Sequence, residues 1–401
     1  MTASHPHILV HDYPGHAFPI DLSRALAKRG YPVTHAYTSA VESPRGTLSS
    51  DIPGLNVVNL GVDTPPVQKG NLIRRRFQEA AYGDVLRKLC DDIQPNLILS
   101  SNTPLEAQKK LLSWANRHDV PFVFWLQDII SIATKSILSD KLGPVGSIIG
   151  WHYGRVEAAM LRRSQHVVVI AEDFQDIIAD WGVRDENITV IPNWAPIDQI
   201  PVLPHQNPFS EKLKLHDKFV VLYAGTLGLK HNPMLIAEAA QRLMEHKDIV
   251  FLVVSEGLSV DVLRRVKTER QLDNLQLLPF QSFEDFPYVL ATGDVMLTLL
   301  EPDAGIFSVP SKVWSAFAAQ RPSILVVPTV NLAAKITERH QTGIVLGNAD
   351  ADALADAILA LHNNPERRKT LAQNARAYAN AHFHVDKIAD RFERVIQQLV
   401  G

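Results

Sequence analysis

The chain alternates between short, unbroken apolar runs and longer segments whose apolar residues recur at helical spacing. The first run lies at 7–11 (HILVH), and others follow at 33–37, 96–100, 121–126 and 166–170. Strands of a parallel sheet carry continuous apolar runs because helices cover both of its faces. The first part of the chain is therefore predicted to form a doubly wound α/β domain.

A proline-rich stretch separates this part from a second one of the same kind. Residues 193–218 hold four prolines and little periodicity, as expected of an interdomain linker. Apolar runs resume at 219–223 and continue to 343–346, and an amphipathic helix is predicted at 386–400. We therefore predict two doubly wound domains, with the terminal helix crossing back to the first. The predicted bounds are 1–197 together with 384–401 for the first domain, and 198–383 for the second.

The turn at 301–322 (EPDAGIFSVPSKVWSAFAAQRP) carries the clearest candidate chemistry. It follows an apolar run, and a helix is predicted to begin near Pro310 with Ser311 and Lys312 in its first turn. A helix N-terminus attracts anions, and a hydroxyl and an ammonium there add a hydrogen bond and a full charge. The spacing is equally compatible with a plain strand-to-helix connection in which Ser311 caps the helix.

Composition narrows the class of protein. The 401 residues are 46% hydrophobic and 21% charged, which is typical of folded domains, and the net charge of −3 gives no general attraction for nucleic acid. Cys90 is the only cysteine, so an internal disulfide and a thiolate metal cluster are excluded. With no signal-like N-terminus and no long apolar span, we expect a cytoplasmic protein without a nucleic-acid partner.

No metal or cofactor is expected. The only D-x-D sequence is formed by Asp350 and Asp352, which are more typical of a helix cap than of a magnesium site. The sixteen histidines show no ligand spacing on an apolar helix.

Two further stretches leave a membrane contact open. Arg74, Arg75 and Arg76 open a predicted helix beside Phe77, and residues 136–151 are largely apolar. A basic run of this kind is usually a solvated helix face, but with apolar neighbours it also fits an anionic membrane surface.

Motifs spread over nearly the whole chain occur in a characteristic order. They include a glycine turn and leucine-rich helix at 15–33, a strand, glycine turn and lysine at 223–230 (YAGTLGLK), and the stretch 309–322. In this order they resemble the nucleotide-sugar glycosyltransferases of GT-B architecture, and within them the retaining glycosyltransferase family 4. The resemblance implies two Rossmann-like domains facing across a cleft, with the acceptor bound by the first and the nucleotide sugar by the second. Further matching stretches are 188–194, 253–257, 278–280 and 291–295.

Three positions depart from the family's pattern. The family commonly carries two glutamates eight positions apart, and here those positions are Phe307 and Ser315. Glu301 is the nearest carboxylate and is our candidate to replace one of them. Thr226 stands where many members have an arginine. The chain therefore resembles the branch that assembles capsule, O-antigen and colanic acid, as does the sequence WLQD at 125–128.

The chemistry of transfer suggests a role for each candidate residue. Negative charge grows on the leaving diphosphate, and preorganised donors stabilise it. Asp128, at the end of a predicted strand, is expected to bind the acceptor or act as base, and a helix N-cap is the alternative. We assign Asp128, Lys230 and Glu301 to catalysis; Gly15, Thr226, Lys230, Val309, Ser311 and Lys312 to the donor diphosphate; Ser255, Glu256, Phe280 and Ser315 to the nucleoside; and His16 and Asp128 to the acceptor.

Several of these assignments have a plainer alternative. Lys230 and Lys312 could be surface lysines, and Gly15 could be a glycine that its turn alone requires. Glu256 and Phe280 could be ordinary residues at strand ends.

The sequence thus predicts a metal-independent glycosyltransferase. It would move a sugar from a nucleotide-diphosphate sugar, UDP-sugar rather than GDP-sugar, to a glycan or lipid-linked acceptor with retention at the anomeric carbon. A peripheral contact with the inner membrane face fits such an acceptor. The alternatives are a non-hydrolysing nucleotide-sugar epimerase and a non-catalytic partner protein of the same fold.

Overall fold

Two parallel sheets, each flanked by helices, form the protein. The structure, a computed structural model, describes residues 5–401 except 42, 44, 50, 63–71, 229 and 230. The chain divides into two units, 1–192 with 385–401 and 193–384. All pairings between described strands are parallel. The predicted fold class, two doubly wound α/β domains, is confirmed.

The described part of the first unit builds a seven-stranded sheet in the order β3-β2-β1-β4-β5-β6-β7. Its strands are short and apolar because helices cover both faces. The strand β2 has the bounds that the apolar pattern predicts. The strands are β1 (Ile8–Asp12), β2 (Val33–Tyr37), β3 (Leu55–Asn59), β4 (Leu97–Ser101), β5 (Phe122–Leu126), β6 (His166–Val169) and β7 (Ile188–Val190); the helices are α1 (Ala17–Lys28), α2 (Leu72–Ile93), α3 (Leu105–Arg117), α4 (Ile130–Leu142), α5 (Pro144–Arg163) and α6 (Glu172–Asp180).

The second unit repeats this plan with six described strands in the order β10-β9-β8-β11-β12-β13. In both units the first strand lies inside the sheet, with the second strand on one side of it and the fourth strand on the other. The strand order therefore reverses between the first and fourth strands, which are β1 and β4 in the first unit and β8 and β11 in the second. The strands are β8 (Phe219–Ala224), β9 (Ile249–Val254), β10 (Leu275–Leu278), β11 (Val295–Leu299), β12 (Ser323–Val326) and β13 (Gly343–Val345); the helices are α7 (Pro208–Lys212), α8 (Pro233–Arg242), α9 (Leu258–Arg270), α10 (Phe286–Thr292), α11 (Lys312–Ala318), α12 (Leu332–Arg339), α13 (Ala351–His362) and α14 (Pro365–His382).

The terminal helix α15 (Val385–Val400) belongs to the first unit, as predicted. Its Phe392 ring packs edge-on against Trp125 with the ring centroids 4.8 Å apart. Arg29, just after α1, donates a 2.6 Å hydrogen bond to Glu393, and the Tyr31 hydroxyl donates to the same carboxylate at 2.9 Å. An apolar seam and a set of charged contacts therefore hold the end of the chain on its first domain.

The predicted linker is more ordered than its composition indicates. Asn207 caps the short helix α7 by accepting from the N–H groups of Phe209 and Ser210, and Pro208 occupies the first helical position. The Asn207 amide also donates to the Tyr288 carbonyl at 3.4 Å. Proline here opens a helix rather than only interrupting one, which the count of prolines does not distinguish.

The helices α4 and α5 form a hairpin joined by the single residue Gly143. A Cβ atom at Gly146 would lie 1.8 Å from the Leu138 carbonyl oxygen, and one at Gly150 would lie 2.5 Å from Lys135 Cβ. Glycine at both positions lets the two backbones approach closely. Within the described ranges, no helix is long and apolar enough to span a bilayer.

Candidate active site

In the first unit, the C-terminal ends of β1 and β4 meet where the strand order reverses. Asp12 ends β1 opposite Ser101, which ends β4, and Asn102 follows directly. The loops after such neighbouring strands run in opposite directions, which is where open α/β sheets bind ligands. The C-terminal ends of β1 and β4 therefore form a candidate binding site at this edge of the sheet.

The Asp12 carboxylate organises this edge. It is fully buried, and it accepts hydrogen bonds from Ser101 Oγ at 3.0 Å, Asn102 Nδ2 at 2.6 Å and the His16 N–H at 2.6 Å. Burial by itself raises the pKa of Asp12, but the nearby His16 and the hydrogen bonds from His16 and Asn102 outweigh it and bring the pKa to about 2. At neutral pH the group is therefore ionised and holds Ser101, Asn102 and His16 in place.

Gly15 lies buried in the loop between β1 and α1. Its N–H donates to the Asp12 carbonyl at 3.2 Å, and its own carbonyl accepts from Gly46 at 3.1 Å. Its φ is +79°, and a Cβ atom there would lie 2.9 Å from Leu48 Cδ1. The turn alone therefore requires glycine. A contact between Gly15 and the donor diphosphate stays a prediction.

His16 is the N-cap residue that precedes α1, and it is the predicted acceptor contact on this loop. Its Nδ1 lies 3.5 Å from Asp12 Oδ2, and its Nε2 lies 3.3 Å from Ser43 Oγ. The imidazole stacks on Phe18, with the ring centroids 5.9 Å apart. The side chain is thus oriented at the sheet edge while remaining 30% exposed.

Asp128 follows β5 and is half-buried. The alternative in which it caps the next helix is wrong, because Ile129 is the N-cap of α4 and lies beyond it. The first two N–H groups of α4 are satisfied from α5 instead, by the Glu157 carboxylate, which accepts from Ile130 at 3.1 Å and from Ser131 at 2.9 Å. Capping therefore does not explain Asp128, and its role toward the acceptor stays a prediction.

Glu157 itself is a buried acid with an unusual protonation equilibrium. Burial raises its pKa, the hydrogen bonds from Ser131 and Ile130 partly offset this rise, and the charge of Asp128 adds to it, so that the pKa is about 7. Its carboxyl group therefore changes charge near neutral pH at the base of the α4–α5 hairpin.

In the second unit, Lys312 is held at the end of β8 by an aromatic residue. Its Nζ donates to the Tyr223 hydroxyl at 2.6 Å and lies 4.1 Å from the centre of the Tyr223 ring. The Tyr223 hydroxyl donates in turn to the Thr226 carbonyl at 2.9 Å. A Cβ atom at Gly225 would lie 3.2 Å from Lys312 Cε, so the lysine stem packs against that backbone. The structure thus brings together the predicted residues Thr226 and Lys312.

Tyr223 is 1% exposed, and burial raises its pKa well above the ordinary value, so its hydroxyl stays protonated. It can then donate to a carbonyl and accept from an ammonium at once. Lys312 is half-buried. A cation whose ammonium group is already oriented by a hydroxyl and an aromatic ring is suited to bind an anionic ligand.

The loop before α11 is tied down by Asn331. The Asn331 amide donates to the carbonyls of Gly305 at 2.9 Å and Ser308 at 2.8 Å, while its oxygen caps α12 by accepting from Ala333 at 3.0 Å. A Cβ atom at Gly305 would lie 2.7 Å from Pro328 Cγ. This loop is therefore fixed by both hydrogen bonds and packing.

The predicted residues of this stretch lie along the same loop. Glu301 follows β11 at the start of a 3-10 turn, and burial and the nearby Asp303 raise its pKa. Val309 is buried and Ser311 is exposed. Helix α11 begins at Lys312, slightly later than predicted, and the Ser311 side chain makes no capping hydrogen bond. Capping therefore does not account for this serine.

The loops after β8 and β9 are joined by backbone contacts. The Leu227 N–H donates to the Glu256 carbonyl at 3.2 Å, and the Ser255 N–H donates to the Leu278 carbonyl at 2.9 Å. Ser255 is fully buried, whereas Glu256 and Phe280 are half-buried at their strand ends. Ser315 is half-buried on α11. Nucleoside contacts by these residues stay predictions.

Two expectations concern charged groups outside this cluster. Lys230 lies outside the described residues. Asp350 caps α13 by accepting from Ala353 at 2.9 Å, as predicted, and Asp352 pairs with Arg242. Among the residues that the structure describes, no cluster of three histidine, cysteine, aspartate or glutamate side chains could hold a metal ion.

Four residues of these edges were not foreseen from the sequence. Asp12 and Tyr223 lie at the ends of predicted strands, so a charged or hydroxyl residue closing an apolar run was a usable signal. Asn331 and Glu157 act on segments distant in the chain, with Glu157 reaching 26 positions back to Ser131. Local sequence patterns do not predict such contacts.

Comparison with protein-family models assigns each unit to a family. The glycosyl transferase 4-like domain matches residues 20–194, and the glycosyl transferases group 1 domain matches residues 206–378. The two matched regions correspond to the two doubly wound units described above. The chain belongs to the glycosyltransferases of GT-B fold.

Individual relatives are consistent with this class. The chain is 28% identical over 184 residues to WcaI of Escherichia coli K12, a glycosyl transferase named for colanic acid biosynthesis. It is 27% identical over 192 residues to the alpha-D-kanosaminyltransferase of Streptomyces kanamyceticus. These alignments cover 44% and 47% of this chain, and they span about half of the curated relatives, 45% and 48% of their length.

Solved structures share the fold over nearly the full chain. Anabaena HepE, solved in complex with UDP and glucose, superposes with a TM-score of 0.73 at 18% identity and covers 98% of this chain and 100% of its own. Sucrose-phosphate synthase from Thermosynechococcus elongatus gives a TM-score of 0.77 at 15% identity, covering 98% and 99%.

Proposed function

We propose that the protein transfers a sugar from a nucleotide-diphosphate sugar to a glycan or lipid-linked acceptor. The observation that carries the proposal is Lys312, a lysine held by the Tyr223 hydroxyl and ring beside the loop at the end of β8. A preorganised cation stabilises the charge that develops on a leaving diphosphate without reorganising during the reaction. The family matches of both units support the same reaction class.

The second unit binds the donor in this proposal. Lys312, Ser311 and the backbone near Thr226 and Val309 contact the diphosphate, with Lys230 as a further cation. Ser255, Glu256, Phe280 and Ser315 contact the nucleoside. UDP is the favoured nucleotide, supported by a neighbour of the same fold, HepE, which was solved in complex with UDP.

The first unit binds the acceptor at the edge built around Asp12. His16 and Asp128 are the proposed contacts, and Gly15 supplies backbone close to the donor phosphates. In the family that the chain resembles, the acceptor attacks on the face from which the diphosphate departs, and a leaving-group oxygen takes the hydroxyl proton. We propose the same retaining course, with Glu301 near the sugar and with no metal.

The shift in melting temperature on nucleotide binding tests the donor half of the proposal. We expect UDP to raise the melting temperature more than GDP does, because a ligand that binds only the folded state stabilises it. Lys312→Ala should abolish the shift, whereas Lys369→Ala, which removes an exposed lysine from α14 of the same unit, should preserve it. A shift of equal size in both variants would remove Lys312 from the site, and no shift with any nucleotide would overturn the proposal.

Incubation with a panel of sugar nucleotides tests the reaction. Transfer to an added lipid-linked or glycan acceptor, with the product anomer assigned by NMR, is expected to give the donor's own configuration. An epimer formed from the sugar nucleotide alone would identify the epimerase alternative. Nucleotide binding with neither transfer nor epimerisation across the panel would identify a non-catalytic partner.

A further inference from the structure

The outward face of α5 is apolar over its first half. Val145, Ile148 and Trp151 are 60%, 66% and 59% exposed. Because they recur every third residue, they lie along one side of the helix. Large apolar side chains grouped on one exposed helix face are uncommon in a protein that meets only water.

The opposite side of α5 is fixed in place. It packs on α4 through Gly146 and Gly150, and the Ser147 and Ser139 hydroxyls lie 2.9 Å apart across the hairpin. The apolar face therefore cannot rotate inward without breaking the glycine contacts. Its exposure is a property of the packed hairpin.

The charges of α5 are all of one sign where they meet solvent. Arg155, Arg162 and Arg163 are exposed, and the Arg155 guanidinium lies 4.9 Å from the centre of the Trp151 ring. Every residue of α5 is described, and its one acidic residue, Glu157, is fully buried against the N-terminus of α4. No carboxylate of this helix offsets the arginines at the surface.

We propose that this face of α5 docks the protein on an anionic membrane surface. Val145, Ile148 and Trp151 enter the boundary between headgroups and acyl chains, where tryptophan is favoured, and Arg155 meets the lipid phosphates. Lys135, exposed on α4, adds a further positive charge to the hairpin.

A bilayer fits this face better than a second copy of the chain. A two-fold contact would bring the same arginine-bearing helix against itself, and like charges would face one another. Three separated apolar side chains also offer much less than the roughly 800 Å² per partner of a stable interface. The proposal rests on this surface alone. It deepens the proposed function because a lipid-linked acceptor lies in the same membrane.

Vesicle binding tests the proposal without nucleotide or acceptor, so its outcome is independent of the transfer assay. The protein is mixed with vesicles of phosphatidylcholine alone or of phosphatidylcholine with phosphatidylglycerol, and the bound fraction is measured by flotation. We expect binding to the anionic vesicles, weakened by salt because the arginine attraction is screened. Tryptophan emission should shift to the blue on binding, and Trp151→Phe should abolish that shift.

Matched variants identify the face. Ile148→Glu should weaken vesicle binding by about tenfold or more, since the free energy gained when the isoleucine side chain enters the membrane is lost. Arg155→Gln should weaken it about fivefold on anionic vesicles only. Val62→Glu, at a 73% exposed valine elsewhere in the first unit, should change nothing. Val145→Gln gives a second, milder test of the apolar contribution, and unchanged melting temperatures establish that the variants fold.

Three results would overturn the proposal. The first is the absence of anionic vesicle binding by the wild-type protein, and the second is equal binding by wild type and Ile148→Glu. The third is a dimer in sedimentation velocity that Ile148→Glu converts to a monomer while vesicles bind neither form, which would assign the face to self-association.

Discussion

The two sheets share the order of their first six strands, yet the charged side chains at the C-terminal ends of their strands are held differently. In the first unit the Asp12 carboxylate is fully buried and accepts three hydrogen bonds, so its charge stabilises the residues around it. In the second unit Lys312 is half-buried and is fixed at one side by Tyr223. A fully buried charge that accepts several hydrogen bonds fixes the local structure, whereas an oriented charge on a half-buried side chain is suited to bind a ligand.

The first unit contains a second comparison of the same kind. Asp12 and Glu157 are both buried carboxyl groups that accept backbone N–H groups, but the pKa of Asp12 is lowered to about 2 and that of Glu157 is raised to about 7. At Asp12 the nearby His16 and the hydrogen bonds from His16 and Asn102 outweigh the effect of burial, whereas at Glu157 burial prevails over the hydrogen bonds that the group accepts, and Asp128 adds to the rise. The balance between burial and its compensating partners therefore decides which buried acid is ionised.

Reversing the charge of Lys312 should have the largest effect. Lys312→Glu places a carboxylate where the diphosphate is proposed to bind, so we expect UDP affinity to fall at least about a hundredfold through lost attraction and new repulsion. Isothermal titration measures this change. Binding within about threefold of wild type would mean that the second edge does not use this cation.

Glu157→Gln should change the pH dependence of stability. The folded pKa of Glu157 exceeds its unfolded value, so its stabilising contribution is complete below about pH 4.5 and is lost as pH rises toward 7. The loss amounts to about 3 kcal/mol at 1.36 kcal/mol per pKa unit. Denaturant unfolding should therefore show that the free energy of unfolding of Glu157→Gln rises relative to that of wild type between pH 5 and pH 8. Parallel curves would place the ionisation elsewhere.

Asp12→Asn should lower the free energy of unfolding of the first unit by about 2 kcal/mol at neutral pH. The folded pKa of Asp12 lies below the unfolded value of 3.8, so its contribution is present above that value and is lost as pH falls toward 2. The gap between variant and wild type should narrow in acid. Asp176→Asn, at an exposed carboxylate of α6, is the control and should stay within about 0.5 kcal/mol.

Tyr223→Phe should have the smallest effect. It keeps the ring under Lys312 but removes the hydroxyl that accepts from Nζ, so the ammonium is less well oriented. We expect UDP affinity to fall about fivefold, corresponding to one net hydrogen bond of about 1 kcal/mol. The same titration measures it, with melting temperature as a check on folding. An effect equal to that of Lys312→Glu would mean that Tyr223 contacts the ligand directly.

Much of the fold was predictable because each strand carries its own signal. The unbroken run FLVV inside β9 and the pattern of β2 mark buried strands without reference to the rest of the chain. Residues 193–218 were harder, since the capped helix that follows Asn207 depends on one side chain that also bonds to α10. Composition cannot distinguish a proline that opens a helix from one that interrupts the chain.

The site was predictable only in part. Ser311 and Lys312 stand out because a hydroxyl and a cation follow a glycine turn. Tyr223 is 89 positions away in sequence from the lysine that it holds, and Asn331 fixes a loop 23 and 26 positions before it. Such contacts arise only when distant strands have been brought to one edge of a sheet.

By itself the sequence determined the two doubly wound units, the return of the terminal helix and the residue types available for binding phosphate, because apolar periodicity and turn chemistry are local properties. The tertiary structure decided which charges are buried and which reach the surface. It buried Asp12 among three hydrogen-bond donors, raised the pKa of Glu157, left Lys312 half-buried against Tyr223 and left the apolar face of α5 exposed, since burial and neighbouring charge depend on the packing of segments far apart in the chain.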